Sequence, residues 1–197
     1  MLSNANVLSL YRAARVTRYH AMPPLNLSCQ NNADHTWGVV MIILAFHPAP
    51  SPDLIRAAMF HDLGEIEVGD LPGNLKLQPK AKAMLGHHET LEFDALNSLG
   101  ITGENCAMNL SDEDMNWLKF ADQLEALLFI LFSGVDLDLL PNAQDYSLNL
   151  TRLSNKIAPW LVTAVGQQIN PVLKKRGLPT IMNINREDQV VLGGGKK

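Results

Sequence analysis

The side chains able to do metal chemistry occur in the order His35, then His61-Asp62, then Asp122. Neutral imidazole nitrogens and carboxylate oxygens together make a mixed donor set suited to one divalent transition ion. His61 and Asp62 are adjacent at the end of the apolar run 54–60, so both can point into one site from a single helical turn. His35 stands in Asn32-Ala33-Asp34-His35-Thr36-Trp37-Gly38, where Asp34 or Thr36 can cap a helix that begins there. Asp122 lies in the apolar stretch 117–124, where a carboxylate needs a partner to offset its burial. Taken singly, each has a plainer explanation: a satisfied histidine near a helix start, a cap or ion-pair partner, a chance His-Asp neighbour. Taken together, on three helices, His35, His61, Asp62 and Asp122 read as the ligands of one ion.

An ion held by two imidazoles and two carboxylates keeps open positions for water and a phosphoryl oxygen. It lowers the pKa of its water and neutralises charge that builds on phosphorus. Glu65 comes four residues after His61 and three after Asp62, so in a helix or tight turn it faces the same site. A carboxylate there that is not a ligand can orient the attacking water or move its proton. Glu65, Asp62 and Lys76 form the expected catalytic set. Arg18 is the expected phosphate or sugar contact, because its fork donates to two oxygens at once. Lys76 adds a point charge beside the phosphates, and Asp70 accepts from sugar hydroxyls or holds its loop. Tyr19 can stack on a base beside the segment Met22-Pro23-Pro24, with core packing as its alternative. His87-His88-Glu89 looks like a second cluster, but adjacent histidines on a helix diverge by ~100°. Those residues are assigned to the surface, and His20 and His47 to structural roles.

These side chains need a scaffold, and the periodicity is almost wholly helical. Residues 7–16 place Val7, Leu10, Tyr11 and Ala14 on one face. The run 37–46 is too apolar for a surface helix and is expected at the centre of the core. Pro48, Pro50 and Pro52 end it, and Ser51 or Asp53 starts the helix that carries His61. Residues 69–79 read as a loop, 80–99 as a helix ending at Gly100, and 114–132 as another ending near Gly134. Further helices are expected in 146–168, broken at Pro159, and in 171–176. The expected fold is an all-α bundle, with one domain over 1–183 and a tail over 184–197.

The composition fits that scaffold. A chain of 197 residues can bury a sizeable core in one domain. Its net charge of −4 gives no footprint for duplex nucleic acid. No stretch approaches the ~20 apolar residues of a membrane helix, and residues 1–6 lack the features of a signal peptide. Cys29 and Cys106 have no CxxC spacing and read as plain thiols. The expected location is cytoplasmic. With 47% hydrophobic and 18% charged residues, there is room for a helical interface.

The motifs resemble those of the HD-domain phosphohydrolases, and within them the small 5'-deoxynucleotidase-like group. The matching pieces are Arg18-Tyr19, Asp34-His35-Thr36, His61-Asp62-Leu63-Gly64-Glu65 and Gly69-Asp70-Leu71-Pro72-Gly73-Asn74-Leu75-Lys76. Ser111-Asp112-Glu113-Asp114 and Lys119-Phe120-Ala121-Asp122 complete the series, in order, over about residues 8 to 130. Tyr19 stands where the bacterial nucleotidases usually carry Trp, and Asp34 where they carry Glu. The resemblance implies a compact HD-domain bundle, one divalent metal (Co, Mn, Zn or Fe, with Mg an option), a proton-handling role for Glu65, and homo-oligomers. It also implies action on 2'-deoxynucleotides. Short phage-type HD enzymes are similar too, through Val16-Thr17-Arg18-Tyr19-His20 and Pro48-Ala49-Pro50-Ser51. Some of those remove triphosphate from dATP and spare a 2-aminoadenine nucleotide. The leading expectation is therefore a dATP-favouring deoxynucleoside triphosphohydrolase. A 5'-deoxynucleotidase acting on monophosphates is the alternative, and a non-catalytic nucleotide sensor or scaffold the third reading.

Overall fold

The computed structural model describes residues 7–20, 22–69, 82–101, 110–140 and 143–183. Among these every regular element is helical, apart from one isolated antiparallel bridge between Thr17 and Asn31. The elements are α1 (Val7–Ala13), α2 (Pro23–Asn26), α3 (Asn32–Phe46), α4 (Pro52–Phe60) and α5 (Glu65–Val68). Then come α6 (Lys82–Ser98), α7 (Asp112–Phe132), a 3-10 turn (Leu137–Leu139), α8 (Ala143–Ile157) and α9 (Pro159–Lys175). The all-α expectation holds. The chain packs as two compact units, 1–121 and 122–197.

In the first unit, α3 begins with a reciprocal cap. The Asn31 side chain accepts from the Asp34 N–H at 3.1 Å, and the Asp34 carboxylate accepts from the Asn31 N–H at 3.4 Å. Asn31 is thus the cap and Asp34 its partner, where the sequence suggested Asp34 or Thr36 as the cap. Two more N–H groups of this end find carbonyls upstream: Asn32 on Val16 and Ala33 on Ala14, both at 3.0 Å. α3 buries Val39, Val40 and Ile43 but leaves Trp37, Met41 and Leu44 exposed. Its apolar residues encircle the helix, and only one side meets the core, so the expectation of a wholly central helix is corrected. On α1, Val7 and Tyr11 are exposed, and Ala13 is the buried residue.

α4 opens as expected, with the Ser51 hydroxyl accepting from the Leu54 N–H at 3.0 Å and Pro52 in the first turn. The same hydroxyl donates to Asp114 at 3.1 Å. A small core of Ala13, Leu63, Leu96, Leu99 and Ile101 gathers Leu10, Phe60 and Ile66 around the chain that follows α4. Gly100 ends α6 with φ +79°, so that the Ile101 N–H reaches back to the Leu96 carbonyl at 2.9 Å and Ile101 is fully buried.

In the second unit α8 and α9 pack together. Pro159 sits in the first turn of α9. Pro171 lies inside that helix and does not begin another. The stripe Leu161, Val165, Ile169, Leu173 is buried straight through it, and that burial outweighs the ~3 kcal/mol an interior proline costs. No described helix is long and apolar enough to cross a membrane.

Candidate metal centre

His61 closes α4. Its N–H bonds the Ala57 carbonyl at 2.9 Å, and its ring Nδ1 lies 2.9 Å from the Ala58 carbonyl. A carbonyl only accepts, so Nδ1 is the donor of that contact and Nε2 is the ring nitrogen that faces Asp62. The chain then turns: Leu63 N–H bonds Phe60 and Glu65 N–H bonds Asp62. Leu63 anchors this turn in the small core. His35 stands in the first turns of α3 and is fully buried.

His35, His61 and Asp62 each offer one ligand atom, all within 4.8 Å of one another. His35 Nε2 lies 3.3 Å from Asp62 Oδ2, and His61 Nε2 lies 3.4 Å from Asp62 Oδ1. Donors bound at ~2.0–2.1 Å to a tetrahedral ion stand about 3.3–3.4 Å apart, so these separations fit. The residues present therefore suit a divalent ion.

Arg18 reaches this cluster because its N–H bonds the Gln30 carbonyl at 3.0 Å, just before α3 begins. Its Nη1 donates to Asp62 Oδ2, and its side chain is 10% exposed. A permanent cation thus abuts the donor set. Tyr19 holds φ +56°, a left-handed backbone that costs a bulky residue on the order of 1–3 kcal/mol. The turn aims its buried ring at Arg18, whose guanidinium carbon lies 5.7 Å from the ring centroid.

Glu65, the first residue of α5, is buried, 4% exposed. Gly64 before it explains how α5 meets α6: a Cβ at position 64 would stand 2.6 Å from the Glu92 carbonyl oxygen. The structure thus brings together His35, His61 and Asp62, with Arg18 bonded to Asp62 and Glu65 three residues on. Asp122, half-buried on α7, is the first residue of the second unit. Asp70 and Lys76 lie outside the described residues.

One contributor to the site escapes a reading of the sequence, and one residue away from it differs from that reading. Asn32, fully buried, donates its side-chain amide to the Asp62 carbonyl at 2.9 Å. His88 is not a surface residue: its side chain is 13% exposed and its Nδ1 lies 3.3 Å from Glu92. The i, i+4 spacing of His88 and Glu92 was the available signal for that pair. Nothing in composition signals Asn32.

Residues 18–92 match the HD domain family. HD domains are generally metal-dependent hydrolases. The match runs from Arg18 to Glu92 and so includes His35, His61, Asp62, Gly64 and Glu65. A search of curated proteins finds no match.

Proposed function

We propose that this chain is a metal-dependent phosphohydrolase of 2'-deoxynucleotides, with dATP as favoured substrate and tripolyphosphate as the released product. The observation that carries the reading is the convergence of His35, His61 and Asp62 beside the Arg18 cation, inside the segment that matches the HD domain. Bound there, a divalent ion of the cobalt, manganese, zinc or iron class, or magnesium, supplies a Lewis acid and an acidified water.

The protein's own groups do the rest. Glu65 takes the proton of the attacking water as its oxygen bonds phosphorus. The P–O5' bond breaks, O5' gains a proton, and the deoxynucleoside leaves. Arg18 balances charge on the phosphoryl oxygens while it holds Asp62. Lys76 adds a cation and Asp70 a contact to the sugar. Tyr19, 7% exposed, serves the substrate site through Arg18. The same bond breaks in a deoxynucleoside monophosphate, so that activity is the second reading, favoured by the nucleotidase-like motif series. The preference for dATP is supported by the resemblance of 16–20 and 48–51 to the phage-type enzymes. Assembly as a homo-oligomer belongs to the same proposal, and light scattering tests it.

The deciding experiment compares phosphate and tripolyphosphate release from dATP, dGTP, ATP, dAMP and a 2-amino analogue of dATP. Tripolyphosphate from dATP in excess of the others is the expected result. Release from dAMP alone gives the monophosphatase. A protein that binds metal and nucleotide without turnover is the sensor.

A further inference from the structure

We propose that Asn32 is a positioning residue of the metal centre, holding the His61-Asp62 turn in register with His35. The inference rests on the metal-site reading above. The Asn32 side chain is 0% exposed, and its Nδ2 donates to the main-chain carbonyl of Asp62 at 2.9 Å. The amide has one workable orientation, because rotation would set Oδ1 against another acceptor. Asn32 precedes His35 by three residues on α3, so the two share a face of the helix. One hydrogen bond thus links the helix end that carries His35 to a ligand 30 residues further along the chain.

The backbone of the same residue extends the link. Asn32 N–H bonds Val16 at 3.0 Å, and Arg18 N–H bonds Gln30 at 3.0 Å, so the segment that delivers Arg18 is laced to this helix end. Packing alone does not call for an amide here. Asn32 Oδ1 is buried with no hydrogen-bond partner among the described residues. A half-satisfied amide in a fully buried position is inferior, for stability, to an apolar side chain of like volume. What Nδ2 holds accounts for its presence. Loss of a group that orients a metal's ligands typically weakens metal affinity ~10–100-fold.

The test uses the full chain with Asn32→Leu, which keeps the branching and the number of side-chain heavy atoms and removes the amide. Titration with Co²⁺ alone should give one site in the parent protein and a dissociation constant about 10–100-fold larger in the variant. The metal-free melting temperature should be unchanged or higher. Should Asn32→Leu not fold, Asn32→Ala is read in the same way. Parent-like Co²⁺ affinity in a folded variant overturns the proposal, as does a weakened affinity matched by a lower metal-free melting temperature. Hydrogen exchange at residues 61–65 in the metal-free proteins gives a readout independent of the ion: faster exchange in the variant is expected, and equal exchange overturns the proposal. A parent protein that takes up no Co²⁺ defeats the metal reading instead, and that outcome is separate.

Discussion

The turn around residues 61–65 and helix α8 both bury polar side chains, but the hydrogen bonds of Arg18 and Asn32 on one side and of Ser147 and Thr151 on the other differ in reach. In α8, the hydroxyls of Ser147 and Thr151 donate to carbonyls three and four residues back in the same helix, Gln144 and Ser147. Around the turn, Arg18 and Asn32 donate to Asp62 across 44 and 30 residues of sequence. A polar group satisfied by its own helix asks nothing of the fold, and there the amphipathic stripe explains the packing. A buried polar group satisfied only by a distant segment must be assembled by the fold, at a cost in ordering. The second kind gathers where His35, His61 and Asp62 converge.

Substitutions on the two sides should separate sharply. The largest effect is expected from His61→Ala and Asp62→Ala. Each should take bound metal from one ion per chain to none by elemental analysis and abolish turnover, with helical circular dichroism retained. Full metal content in either folded protein would erase the distinction drawn here. Next comes Glu65→Gln, which should keep the metal yet lose ~10²–10⁴-fold in turnover; parent-like kinetics would remove Glu65 from the mechanism. On the other side, Leu161→Ala at a fully buried site should cost about 2–5 kcal/mol in urea denaturation. Its metal stoichiometry should not change. The smallest effect belongs to Ser147→Ala, within ~1 kcal/mol, since the Gln144 carbonyl it leaves lies in its own helix. A larger loss there would mean that the locally satisfied hydroxyls carry more than packing.

Much of the scaffold was legible from residue spacing. Ser51 before Pro52 and Gly100 after an apolar stripe are local signals, and both helix ends fall where those signals put them. Pro171 misleads because a local helix breaker is overruled by burial on either side of it, at Ile169 and Leu173. The exposed face of α3 could not be read either, since an all-apolar helix does not say which side meets the core. For the site, donor chemistry selected His35, His61 and Asp62, the three that come together. Arg18 was singled out for its fork, but its bond to Asp62, 44 positions away, could not be read from spacing. Asn32 was missed for the same reason, because a side chain bonded to a distant main-chain carbonyl leaves no trace in spacing.

Gly64 carries a consequence for how this protein can vary. Its missing side chain lets the chain before α5 lie against the Glu92 carbonyl, where a Cβ would come within 2.6 Å of backbone that cannot swing aside. A saturation library scored for survival should therefore find position 64 as intolerant as 61 and 62, although glycine has no side chain with which to bind an ion. A melting curve taken after chelation would tell the two kinds of lethality apart. Variants at 61 should melt as the metal-free parent does, whereas variants at 64 should already be loosened before any ion is removed.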